Sequence, residues 1–94
     1  MKVFWAAAAE KDRADILDYI SRDNPIAAIR MDELFSDAAA RLTKHPRLGK
    51  AGSIPGTREL IPHESYRLVY EVRGEKLWIL ALVHTARMWP ARNP

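Results

Sequence analysis

The sequence predicts an α+β domain of order β-α-α-β-β-β, with an antiparallel two-helix hairpin packed on one face of a mostly antiparallel four-stranded sheet. Three observations predict it. Apolar residues recur at helical spacing from residue 7 to about 44, with one break at "DNP". Strand-type alternation and a continuous apolar run then fill most of residues 57–84. Between these blocks lies "HPRLGKAGSIPG", whose two prolines and three glycines exclude helix and central strand.

The elements follow in order. "KVFW" at 2–5 reads as a short first strand. Over residues 7–22, Ala9, Ile16, Leu17 and Ile20 share one helix face, with Arg13 at the same spacing and its stem available for packing. Asp12, Asp15 and Asp18 sit largely opposite. Asn24 is a good N-cap and Pro25 suits the first helical position, so a second helix begins there and runs to about Lys44. Its expected buried stripe is Ala27, Met31, Leu34, Phe35, Ala38 and Leu42. So short a connection folds the helices back on each other.

"TRELI" at 57–61 is a strand, and "PHE" a turn that holds His63. "SYRLVYEV" alternates, with Tyr66, Leu68, Tyr70 and Val72 on one face and Arg67, Val69, Glu71 and Arg73 on the other. Gly74 and Glu75 suit a tight hairpin turn. "KLWILALVH" is apolar on both faces and belongs in the middle of the sheet, with His84 in parity with Trp78, Leu80 and Leu82. The helix hairpin covers only one sheet face, which leaves the other for the basic residues of the second half.

At 94 residues the chain is one domain, 1–94, with one modest core. The absence of cysteine excludes a disulfide framework, a zinc knuckle and a thiol nucleophile, and favours a reducing cytoplasm. No window reads as a signal peptide or a membrane span, so no membrane partner is expected. Residues 1–43 hold six Lys/Arg and eight Asp/Glu, whereas 44–94 hold nine and four. The basic half suggests an anionic partner such as nucleic acid, although unevenly charged surfaces are also common.

No phosphate loop, HExxH motif or acidic metal cluster occurs, so neither metal nor cofactor is expected. The chemistry on offer is cationic: His45, His63, His84, Arg47, Arg58, Arg67, Arg87, Lys44 and Lys50. It suits metal-free RNA cleavage, in which the 2′-OH attacks the adjacent phosphorus. Histidine can move the protons, and arginine forks can hold the phosphate. Trp89 or Tyr66 could stack an unpaired base. Each residue also has a plainer reading: Arg67 pairs Glu71 along its strand, His84 ends a strand, and Arg58 and Glu59 form a surface pair.

Four stretches carry a resemblance: "ISRDNP" at 20–25, "HPRLGKAG" at 45–52, "GTRELI" with "YRLVYEV" at 56–72, and "LALVHTARMWP" at 80–90. With the element order, they resemble the RelE/ParE superfamily of bacterial type II toxin–antitoxin toxins, including plasmid stabilisation toxins. The resemblance implies the RelE-like microbial RNase fold and a cognate antitoxin of RelB, ParD or StbD type. It also implies contact with operator DNA only through that antitoxin.

In the RelE-like branch the toxin enters the ribosomal A site and cleaves mRNA. Carried over, its catalytic residues are Arg67, His84 and Arg87, and its substrate-binding residues are Arg47, Lys50, Arg58 and Trp89. Many members have tyrosine where this chain has Trp89, and indole stacks but donates no phenolic proton. The ParE-like branch shares the pattern, inhibits DNA gyrase and needs no nuclease site. The coexistence of Arg67, His84 and Arg87 tips the sequence reading toward the ribonuclease. A degenerate toxin that only regulates its own operon is a third reading.

Overall fold

The computed structural model describes residues 1–87, 89 and 90. Strand β1 (Lys2–Trp5) leads into helices α1 (Ala7–Asp23) and α2 (Pro25–Lys44). Four strands follow: β2 (Lys50–Ala51), β3 (Thr57–His63), β4 (Tyr66–Arg73) and β5 (Lys76–His84). They form one sheet of order β1-β5-β4-β3-β2, in which β1 pairs parallel with β5 and every other pairing is antiparallel.

The expected four strands are five. Lys50 and Ala51 add a two-residue edge strand opposite Glu59 and Arg58. Gly and Pro on either side confine it to the margin of the sheet. β3 also runs past Pro62 to His63, after a register irregularity beyond Leu60, so His63 pairs with Tyr66 rather than sitting in the turn.

A single residue joins the helices. Asn24 donates its backbone N–H to the Ile20 carbonyl, closing α1, and its side chain accepts from Ala27 N–H at 3.0 Å, opening α2. Arg13 does more than lend its stem. Its guanidinium donates to Asp32 Oδ1 at 2.7 Å and to Ser36 Oγ at 2.7 Å, and lies 4.6 Å from the Trp5 ring centre. It ties α1 to α2 and to the first strand together. Within α2, Phe35, Ala38 and Leu42 are buried as expected, joined by Ala28 and Ala39, whereas Leu34 is 37% exposed.

The core lies between the hairpin and one sheet face. Phe35 and Leu42 meet Leu68, Tyr70, Leu77, Ile79 and Leu82, with Val3, Trp5 and Tyr66 at the margin. β5 is central, between β1 and β4, as its two apolar faces required. Among the described residues no helix is long and apolar enough to cross a membrane.

One irregularity decides which residues share a face. Val69 pairs with Ala81, but Tyr70 pairs with Ile79, so Leu80 is an extra residue in β5. This β-bulge reverses the parity of the strand beyond it. Trp78 lies opposite Glu71 on the face away from the helices, whereas Leu82 and His84 lie opposite Leu68 and Tyr66 on the helix side. The expected common parity of Trp78 and His84 is therefore broken. Near the bulge, beyond the end of β1, Asp12 of α1 accepts the Leu82 N–H at 3.1 Å.

Candidate functional site

The expected site residues divide between two faces and one edge. On the face away from the helices, Arg67 shares a row with Val83. It does not pair with Glu71. Its Nη1 donates to Glu59 Oε1 at 3.3 Å, and its Nη2 donates to the Arg87 carbonyl at 2.6 Å. The two side chains are 18% and 4% exposed, so the pair is largely shut away from solvent. Glu59 also accepts the Ser53 N–H at 3.3 Å. Adjacent strand residues point to opposite faces, so Arg58 and Glu59 are not a surface pair.

Arg58 shares the helix-side row with Tyr70. There it donates to the Gly49 carbonyl at 2.8 Å. Tyr70, fully buried, donates its hydroxyl to the Pro46 carbonyl at 2.8 Å and accepts the Gly49 N–H at 2.9 Å. A Cβ on Gly49 would stand 2.8 Å from the Tyr70 hydroxyl and from the Glu59 carbonyl, which is why that position carries no side chain. The basic loop is thus moored to the core, with Arg47 and Lys50 left exposed on its outer side. His45 is exposed beside them.

The third group gathers where β4, β5 and α1 meet. Tyr66, His84, Arg87 and Trp89 border a cleft of about 760 Å³ whose opposite wall is Asp12, Asp15, Ile16 and Tyr19 of α1. Tyr66 is its aromatic centre, edge-on to Phe35 at 5.8 Å and to His84 at 5.5 Å. The tip after β5 is held by Thr85, which donates its N–H to the Ser65 carbonyl and its hydroxyl to the Glu64 carbonyl. Tyr19 is 72% exposed and gives the acidic wall an apolar lip.

Ala86 N–H donates to His84 Nδ1 at 3.1 Å, a contact within the tip itself. His63 is tied in the same way, its Nδ1 accepting the Ser65 N–H at 3.1 Å.

His84, Arg87 and Trp89 therefore come together, while Arg67 stands on the other side of the sheet. Arg58 is occupied by the loop, and Arg47 and Lys50 lie on its outer edge. Among the described residues no group of three His, Asp or Glu could hold a metal ion. Sequence reasoning missed three contributors: Glu59, Tyr70 and Asp12. Knowledge of the β3–β4 register would have found Glu59, because its row adjoins that of Arg67 on the same face.

Comparison with known proteins places this geometry. The family model described as the ParE toxin of the type II toxin–antitoxin system parDE matches residues 3–89. Y4kP of Sinorhizobium fredii is 30% identical over 90 residues, 95% of this chain and 93% of that protein. Toxin RelE2 of Caulobacter vibrioides is 32% identical over 87 residues, 93% and 98% of the two chains. Among solved structures, the chromosomal ParDE system from P. aeruginosa superposes with a TM-score of 0.79 at 20% identity, over 89% of this chain and 95% of the other. A YoeB/ParE toxin from Agrobacterium tumefaciens gives 0.64 at 21% identity, over 89% and 98%. A YafQ variant from E. coli gives 0.55 at 15% identity, over 90% and 93%. The fold is thus shared across the superfamily, and the family match spans nearly the whole chain: it belongs to the ParE toxins of type II toxin–antitoxin systems, within the RelE/ParE superfamily.

Proposed function

We propose that this toxin acts by binding a protein target, DNA gyrase, through the cleft between α1 and the tip of β5, and not by cutting RNA. The observation that carries the reading is the division of the expected catalytic set. Arg67 is engaged by Glu59 and the Arg87 carbonyl on one face, and His84 lies on the other. Arg67 approaches the tip from the face opposite to that of His84. The indole at position 89 also lacks the proton of a phenolic acid. What remains at the cleft is an aromatic and apolar surface with the Arg87 cation on one wall and the Asp12 and Asp15 carboxylates on the other, which suits protein recognition. The ParE family match agrees with this reading. As the toxin of a type II pair, the chain has an antitoxin as its partner, here expected to be ParD-like.

A second reading, ribosome-dependent mRNA cleavage, is favoured by one feature. His84, Arg87 and Trp89 border a single cleft that could hold a nucleotide. Two assays on one preparation separate the readings. Purified toxin is expected to block supercoiling by gyrase while mRNA on programmed ribosomes stays intact by primer extension. New 5′ ends within the A-site codon, with gyrase untouched, would reverse the assignment.

A further inference from the structure

We propose that Arg67 is a positioning residue: with Glu59 it forms a buried clasp that fixes the tip carrying Arg87 and Trp89 from the opposite face of the sheet. The geometry of the guanidinium points to this role. An arginine present only to neutralise a carboxylate commonly meets it with two parallel N–H donors. Arg67 instead divides its two Nη groups, one to Glu59 and one to the tip carbonyl. Its Nε is buried and has no acceptor among the described residues. The carboxylate divides likewise, one oxygen to Arg67 and the other to Ser53 N–H.

A continuous chain of contacts results. It starts in the loop after β2, crosses β3 and β4, and ends beyond β5. It joins two irregular segments that lack a ladder of their own. The clasp engages each Nη of Arg67 through one of its two N–H bonds and sets where the Arg87 and Trp89 side chains enter the cleft. Removing it should loosen the cleft wall without touching the cleft floor.

The experiment labels the three tryptophans with fluorine and records their resonances in solution, with Trp89 assigned by Trp89→Phe. In Arg67→Lys, one ammonium can stay with Glu59 but cannot also span to the Arg87 carbonyl. The Trp89 signal is expected to shift and sharpen toward that of a solvent-exposed indole, while Trp5 and Trp78 hold their positions. The paired variant Glu59→Gln with Arg67→Met leaves no buried lone charge and should release Trp89 in the same way. An unmoved Trp89 signal in both variants overturns the clasp.

A functional cycle uses growth inhibition at matched expression, and so does not depend on which target is struck. Arg67→Lys and Trp89→Ala are each expected to weaken inhibition roughly tenfold or more, and together no further than the stronger single change. Multiplying effects would mean that Arg67 touches the target itself, and would also overturn the role. The cycle alone rests on the cleft being the working surface, as proposed above. Failure of the gyrase assay would leave the resonance test intact.

Discussion

At the scale of single residues, side chains that look chemical are engaged in structure. Tyr70 is the clearest case. Its ring fills the core, and its hydroxyl pairs both ways with the Pro46 carbonyl and Gly49 N–H. Tyr70→Phe keeps the ring and strips both groups of their partner. Leaving buried polar groups unsatisfied costs about 1–3 kcal/mol. The expected result is a lower urea midpoint at unchanged slope, together with faster proteolysis in the 45–50 loop; an unchanged midpoint would show that the loop holds itself.

The sequence grouped Tyr70 on one strand face with Tyr66, Leu68 and Val72 because parity suffices for that. The hydroxyl's role was not legible, since its partners lie more than twenty residues earlier and depend on where a proline-rich loop comes to rest. The same limit explains Arg58 and Arg67. Composition identifies a cation in a strand, but only the register of neighbouring strands says which carboxylate or carbonyl it meets.

At the scale of elements, legibility depended on whether the cause was local. The order and junction of the helix hairpin were readable because Asn24 and Pro25 act within one turn. Asn24→Ala removes the acceptor for Ala27 N–H, and such a loss typically costs about 0.5–2 kcal/mol. Thermal melts should record the drop, and Asn24→Asp should recover most of it; a melt unchanged in the alanine variant would mean the cap is idle. The strands were readable as strands, but the bulge at Leu80 was not. A continuous apolar run such as "WILALV" carries no alternation to be interrupted, so nothing in it announces an added residue. That one residue moved His84 from the face of Arg67 to the face of α1. Arg67 and His84 part company on a point of strand parity, not of residue identity. The two-residue β2 escaped notice for a different reason: it is held by its partner β3 and has no propensity of its own.

At the scale of the whole molecule, the central strand joins everything. β5 pairs with β1 on one side and β4 on the other, and α1 packs over it. Tryptophan fluorescence, which reports on Trp5 and Trp78 across β1 and β5 and on Trp89 at the tip, should therefore lose its folded signal at the same denaturant concentration as far-UV dichroism, which reports mainly on the helices. Two separated transitions would mean that the hairpin stands without the sheet. The α+β class and the one-sided cover were visible in the sequence because they follow from the order of periodicities. The parallel pairing of first and fifth strands joins the two ends of this order, and it closes the longest loop in the fold.

That pairing has a consequence for how the toxin comes into being. Lys2 meets Lys76 across the β1–β5 ladder, so the first strand made must wait for the last. The helices can close on each other as soon as Asn24 and the start of α2 have emerged, because their contacts are local. Order of synthesis and order of assembly therefore run differently. A chain halted before Lys76 holds a helix pair, the strands β2, β3 and β4, and a first strand without its partner, with no tip and no cleft. Interrupted translation of this message yields a chain without its central strand, and the cleft exists only once that strand has been written.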